Sequence, residues 1–245
     1  HQTPVFTVAI SPDERYGLSA AYRDPLVRMW ELDTGKPLRT FPGNTNGMHA
    51  VTFSRDGRYV AGGDHDFRVW DRETGKEIAL LKRHFAGVMG IEFLPDGEHL
   101  LSCANDHNVY LWNIREQQVV RSFQGHNSEV MAMELSPDAK KILTGSHDGT
   151  VRIWDTETGK QLHSLDGEMN VTSVSFGPNE MQVLFGGWMG EKVRELKLWD
   201  VAENRIMVRF QGHQGRVSCC RMLPGGGKAV SGSEDATVRL WEWEQ

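Results

Sequence analysis

The 245-residue chain is short of cysteine, has no surplus of basic charge, and contains no long apolar run. Cys103, Cys219 and Cys220 are too few for a disulfide framework. The adjacent Cys219 and Cys220 alternate faces in any extended strand, which argues against a shared metal site. Such usage fits small buried hydrophobes in a reducing, cytoplasmic compartment. Nothing approaches the roughly 20 apolar residues of a membrane helix. No basic-then-apolar leader opens the chain, although His1 reads as a mid-protein residue. Lys and Arg number 27 against 33 Asp and Glu, a formal charge of −6 with the signs interspersed. That balance gives no electrostatic case for nucleic acid or an anionic membrane as partner. Helical periodicity is absent too.

What is present is repetition. Tryptophans recur at Trp30, Trp70, Trp112, Trp154, Trp199 and Trp241, spaced by 40, 42, 42, 45 and 42 residues, each followed by an acidic or amide side chain. Upstream stand turn-forming runs such as Ser11-Pro12-Asp13, Ser54-Arg55-Asp56-Gly57 and Ser136-Pro137-Asp138. Downstream in three repeats come Asp33-Thr34-Gly35, Glu73-Thr74-Gly75 and Glu157-Thr158-Gly159. Between the turns lie β-prone runs of about 4–6 residues, four to a repeat. One such meander cannot bury both of its faces, whereas copies stacked face to face around an axis can. The repeats run approximately over 1–42, 43–83, 84–124, 125–166, 167–211 and 212–245.

The period, the openings Gly125-His126 and Gly212-His213, and the run Thr144 to Asp155 resemble the tryptophan–aspartate (WD) repeat family. The resemblance covers the whole chain and implies an all-β propeller of six four-stranded blades forming a single domain. It also implies a hydrogen-bonded His–Ser/Thr–Asp–Trp set within each blade. His84/Ser102/Asp106/Trp112, His126/Thr144/Asp148/Trp154 and His213/Ser231/Asp235/Trp241 match it in full. A buried indole N–H and imidazole need partners, and an aspartate can terminate the chain. Ser, His and Asp together also suggest a hydrolase, but a catalytic set occurs once, not three times at fixed spacing from a Trp. Departures are expected elsewhere. The first repeat places Ala20 in the hydroxyl slot, and the second places Asn44 and Val60 in the His and hydroxyl slots. The fifth has Gly167-Glu168 for Gly-His and Val193 for Asp, which predicts the least rigid blade.

No catalytic, cofactor or metal motif is found. Gly225-Gly226-Gly227-Lys228 lacks the spacing of a phosphate loop and falls where other repeats place a hairpin turn. The run Phe185 to Glu195 lengthens one loop by about three residues and carries an extra Trp188. Trp188 is either a partner anchor on a loop tip or a cover over the neighbouring blade. Trp243 reads as strand packing. In the resembling family, partners often dock on the face bearing the Gly-His and Asp loops. The residues this puts forward are Arg23, Asn105, Glu129, His147, Trp188, Arg216 and Glu234, a mixed surface that suits a protein or peptide.

Outer-strand candidates number five (Pro37–Phe41, Glu77–Leu81, Val119–Phe123, Gln161–Leu165 and Arg205–Phe210) against six sets of the inner three strands. The last blade is therefore expected to lack its outer strand, and the chain to be an excerpt of a longer polypeptide with a six- or seven-bladed ring. The function expected is a non-catalytic interaction scaffold. The alternatives are a regulatory or sensory module of a multidomain enzyme such as a bacterial protein kinase, a member of a large assembly, or a channel-site enzyme. The innermost strands offer only Glu92 and Glu134 as carboxylates, which disfavours the last.

Overall fold

The computed structural model describes residues 1–43, 48–190 and 194–243. Among these there are 23 strands and no helix, hence no helix long and apolar enough to cross a membrane. Contacts divide the chain into two compact units, His1–Gln124 and Gly125–Gln245. In the first unit, the first blade is β1 (Val5–Ile10), β2 (Tyr16–Ala21), β3 (Leu26–Glu31) and β4 (Pro37–Pro42). The second is β5 (Ala50–Phe53), β6 (Tyr59–Gly63), β7 (Asp66–Asp71) and β8 (Glu77–Lys82). The third is β9 (Val88–Phe93), β10 (His99–Ala104), β11 (Val109–Asn113) and β12 (Gln118–Phe123).

In the second unit, the fourth blade is β13 (Val130–Leu135), β14 (Lys141–Ser146), β15 (Thr150–Asp155) and β16 (Gln161–Asp166). The fifth is β17 (Asn170–Phe176), β18 (Gln182–Trp188), β19 (Leu196–Asp200) and β20 (Arg205–Phe210). The sixth has three described strands, β21 (Val217–Met222), β22 (Lys228–Ser233) and β23 (Val238–Glu242). Every sheet pairs its strands antiparallel in chain order, as hairpin-length connections require.

The recurrent turns are built by side chains reaching back to the main chain. Ser54 Oγ donates to Asp56 Oδ1 at 2.6 Å and accepts the Tyr59 amide at 2.8 Å, while Asp56 Oδ1 also accepts the Arg58 amide. Gly57 completes the reversal at φ 69°, a conformation that costs glycine little. Ser11/Asp13 and Ser136/Asp138 repeat the device. Gly225, Gly226 and Gly227, at φ 93°, 73° and 71°, form the equivalent tight turn before Lys228, which disposes of the phosphate-loop reading.

Alternation along each strand sends one set of apolar side chains into the next blade of the same unit. Val27 and Met29 pack with Val51 and Phe53, and Phe67 and Val69 with Ile91 and Phe93. In the second unit, Val151 and Ile153 meet Val174 and Phe176, while Leu196 and Leu198 meet Cys220 and Met222. Each such burial contributes roughly 1.5–3 kcal/mol. Trp243 packs at 5.4 Å from Phe210. Cys219 is exposed and Cys220 buried, opposite faces as strand geometry dictates, and burial pushes the Cys220 thiol up to about 12.

Innermost strands present unpaired edge amides, and side chains of the preceding blade take them. Glu134 Oε2 accepts the Phe176 amide at 2.8 Å. Ser173 and Ser175 hydroxyls accept the amides of Cys220 and Met222 at 2.9 and 3.1 Å. Burial pushes the Glu134 carboxyl up, opposed by Arg221 and the Phe176 amide. Glu134 is thus committed to the scaffold.

All three complete polar sets form. Trp154 Nε1 donates to Thr144 Oγ1 at 2.8 Å, Thr144 Oγ1 meets His126 Nε2 at 2.8 Å, and His126 Nδ1 meets Asp148 Oδ2 at 2.8 Å. With the imidazole proton on Nδ1, every donor and acceptor in the chain is used. Burial opposes ionisation of Asp148, but the His126 and Thr150 bonds hold its carboxyl well below the usual range. His84/Ser102/Asp106/Trp112 and His213/Ser231/Asp235/Trp241 have the same geometry.

Two slots differ from the expectation. In the first blade the hydroxyl comes from Ser19, not from the Ala20 position. Trp30 Nε1 donates to Ser19 Oγ at 2.7 Å, and His1 bridges Ser19 and Asp24. The β2–β3 turn is one residue longer than counting back from Trp assumes, pairing Ser19 with Arg28. The first blade therefore holds a fourth complete set. In the second blade the slot falls on Gly62, paired with Arg68, rather than on Val60. The turn there is shorter, and the Trp70 indole N–H has no partner. Asn44 and Val193 lie outside the described residues.

The fifth blade substitutes a different device. Its hydroxyl slot holds Phe185, paired with Lys197. Lys197, 1% exposed, donates to Gly167 O at 2.9 Å and to Glu168 Oε2 at 2.7 Å. Bonds from Lys197 and then Arg209 hold the Glu168 carboxyl down at about 2.

Two outcomes test this scaffold. Thr144→Val strands the Trp154 indole and the His126 imidazole together and lowers stability by about 2–4 kcal/mol in urea unfolding; a loss within error would remove the network from the stabilising terms. In the fifth blade, Glu168→Ala leaves a buried ammonium with one carbonyl and destabilises more than Lys197→Met, which removes the charge itself. The reverse order would contradict this account.

Candidate functional site

Five of the seven residues put forward from the sequence meet in the second unit. The Glu129 and His147 loops lie side by side through the His147 amide to Glu129 O, 2.9 Å. Ser128 Oγ bonds Glu129 Oε2 at 2.8 Å, and His147 Nδ1 stands 3.4 Å from the same oxygen. The Ser128 hydroxyl leads in holding the Glu129 carboxyl down. Burial lowers the His147 value, Glu129 opposes and the nearby Arg216 charge adds to the fall, so the ring is neutral at pH 7.

Trp188 does not ride on a loop tip. It is the last residue of β18, paired with Asn170, because the strand runs on one residue past Gly187. Its half-buried ring meets the His147 ring edge-on, centroids 6.4 Å apart, so it covers the neighbouring blade. Twelve residues separate Phe185 from its partner Lys197, where eight separate Thr144 from Arg152. The extra length carries Trp188 and Met189, the latter exposed. Arg216 precedes β21, and its carbonyl accepts the Glu234 amide at 3.0 Å. Arg216 Nε is 3.9 Å from Glu234 Oε1, an ion pair too long for a hydrogen bond. Arg194 also donates to the Gln214 carbonyl nearby.

Among the described residues, three polar atoms here are buried without a hydrogen-bond partner: His147 Nε2, Trp188 Nε1 and Arg216 Nε. Two of them are obligate donors. An unmade bond costs about 1–3 kcal/mol, so an incoming acceptor gains what the free protein forgoes.

Arg23 and Asn105 lie in the first unit. Arg23 sits at φ 55° with its guanidinium 5.0 Å from the Tyr22 ring centre. Tyr22 meets Phe6 at 5.5 Å, and Phe6 meets His49 at 5.2 Å. Asn105 hydrogen-bonds through its amide to Gly87 O at 2.9 Å. Sequence reasoning passed over Phe6, Tyr22 and His49, since aromatic side chains on inner strands and turns look like core; Phe6 is 57% exposed. Among the described residues no group of three His, Cys, Asp or Glu is placed to hold a metal ion.

Antiparallel meanders repeated with an indole at a fixed place in each, joined by short loops bearing exposed polar and aromatic side chains, define the β-propeller class of repeat proteins. Residues 1–31, 35–71, 75–113, 117–155 and 204–242 match the family described as WD domain, G-beta repeat. The chain belongs to that family. The unmatched stretch 156–203 covers most of the fifth blade, where Lys197 replaces the usual polar set.

Relatives are similar over shorter stretches. The small ribosomal subunit protein RACK1y of Oryza sativa subsp. japonica is 31% identical over 74 residues, 29% of this chain and 21% of the relative. The serine-threonine kinase receptor-associated protein of Gallus gallus is 32% identical over 88 residues, 35% and 23% of the two lengths. Pre-mRNA-processing factor 17 of Homo sapiens is 30% identical over 89 residues, 36% and 15%. The chain thus spans less than a quarter of each of these relatives.

The His147 environment carries a sign. A histidine whose folded value is depressed below 6.5 contributes stability that is present above that pH and lost as pH falls below it. Urea unfolding at about pH 7.5 and 5.5 should show wild type losing stability on acidification, with His147→Gln losing less. Equal slopes would place the proton uptake elsewhere.

Proposed function

We propose that the chain is a cytoplasmic, non-catalytic platform that binds a protein or peptide partner through the Glu129, His147, Trp188, Arg216 and Glu234 surface. The observation that carries this reading is that Trp188 Nε1 and Arg216 Nε make no hydrogen bond beside a half-buried aromatic pair. A partner's backbone carbonyls or carboxylates complete those bonds, and Trp and Arg are the side chains that most often dominate such interfaces. The recurring Ser/Thr–His–Asp sets are bonded to tryptophan in the four blades that carry them, which commits their hydroxyls to the scaffold. Formal charge of −6 disfavours nucleic acid as the ligand. Two of the relatives carry names that speak of association, a ribosomal subunit protein and a receptor-associated protein, which supports a binding platform.

The test is a comparative pull-down with Trp188→Ala and Arg216→Ala, each checked for a native unfolding transition. Partners retained by wild type should fall about tenfold or more with each variant, a loss of at least about 1.4 kcal/mol. Undiminished recovery with both variants folded would reject this surface.

A further inference from the structure

Five blades carry an aspartate ahead of the third strand: Asp24, Asp64, Asp106, Asp148 and Asp235. Four of them are saturated. Oδ1 of each accepts the amide two residues on, from Leu26, Asn108, Thr150 and Thr237. Oδ2 of each meets a histidine Nδ1, from His1, His84, His126 and His213. Asp64 breaks the pattern. Its shorter turn brings the Asp64 amide to Asp66 O at 3.3 Å, and Oδ1 has no partner although the residue is only 5% exposed. Oδ2 is held by His65 Nδ1 at 2.8 Å.

Two further polar atoms nearby are also buried and unpaired: His49 Nδ1 and Asn105 Oδ1. The three side chains converge on Gly87. A methyl group at its Cα would lie 3.1 Å from Asp64 Oδ1, 3.3 Å from His49 Nδ1 and 3.6 Å from Asn105 Nδ2. Asn105 faces this point with Nδ2, and a half-turn of its side-chain amide exchanges that atom for the unpaired Oδ1; with the His49 proton on Nε2 the site then offers three acceptors, one of them on a carboxylate. A desolvated carboxylate oxygen without a donor is among the costlier groups a fold can keep.

We propose that Asp64, Asn105 and His49 form a receptor for a primary ammonium group, the side chain of a lysine offered by a partner protein. An ammonium supplies three donors and one positive charge in a compact head, matching three acceptors and one negative charge; a planar guanidinium does not match this convergence. Phe6, exposed and edge-on to His49 at 5.2 Å, gives the lysine stem an apolar surface to lie along. His49 and Asn105 are half-buried, so the site borders on solvent at both residues. This site shares no residue with the Trp188 surface and stands whether or not that surface binds.

The experiment is an NMR titration of the isotopically labelled 245-residue chain with N-acetyl-lysine N-methylamide. Its norleucine and arginine counterparts and alanine N-methylamide serve as comparison probes. The lysine probe should give saturable shifts at the Asn105 side-chain amide and the Asp64 and His65 backbone amides. Asp64→Asn should weaken it about tenfold, and Gly87→Ala, which sets a methyl group 3.1 Å from Asp64 Oδ1 just ahead of β9, should abolish it. Four outcomes overturn the proposal. They are no saturable response up to about 50 mM, as a resident water would give; an equal response to norleucine; equal or tighter binding of the arginine or alanine probe; or unchanged binding in both folded variants.

Discussion

The indole N–H of the recurrent tryptophan sets the terms in the first, third, fourth and sixth blades. Once buried it needs an acceptor, and the hydroxyl on the second strand is the one within reach. That bond fixes strand register, because only one residue of the second strand faces the indole. It also fixes the loops, because the same hydroxyl needs an imidazole and the imidazole needs an aspartate. Trp154, Thr144, His126 and Asp148 tie β15, β14, the segment before β13 and the β14–β15 turn together in one unbroken run of bonds. Apolar stacking of consecutive blades supplies most of the energy, and this polar run supplies the alignment under which stacking is possible.

The architecture was legible because its signal is redundant. Spacing, turn chemistry and period-two apolar patterns each point to the same meander, and the outer strands fall where the sequence places them. Register was less legible. Counting ten residues back from Trp works for Trp112, Trp154 and Trp241 but lands beside the mark at Ala20 and Val60. A turn that gains or loses residues moves the partner without moving the tryptophan, and Asp24-Pro25 gives no sign of that in isolation. Trp188 shows the same blindness. An extra tryptophan between glycines reads as a loop, yet backbone pairing continues through it and only the coordinates show the ring against His147.

The fifth blade shows what the polar set is for by dispensing with it. Phe185 replaces the hydroxyl, the Trp199 indole goes unpaired, and Lys197 enters from the third strand to hold the Gly167 carbonyl and Glu168. An ammonium bonded to the same loop that the imidazole would have held keeps the two strands in place. The sequence announced the loss through Glu168 but not the substitute, since a lysine in a strand ordinarily points to water. Asp64 in the second blade is the converse case, an aspartate kept after its usual partners are gone.

The inner edges of the second unit also bear on how disturbance spreads. Amides of Cys220 and Met222 are bonded by Ser173 and Ser175 of the preceding blade, and Phe176 by Glu134 of the one before. The innermost strands of the fifth and sixth blades each lean on side chains of the blade before, so opening one frees backbone amides of its successor. A lesion at Ser175 would surface as weakened protection forty-odd residues downstream. Repeat boundaries drawn on the sequence therefore cut across bonds that tie each blade to the next.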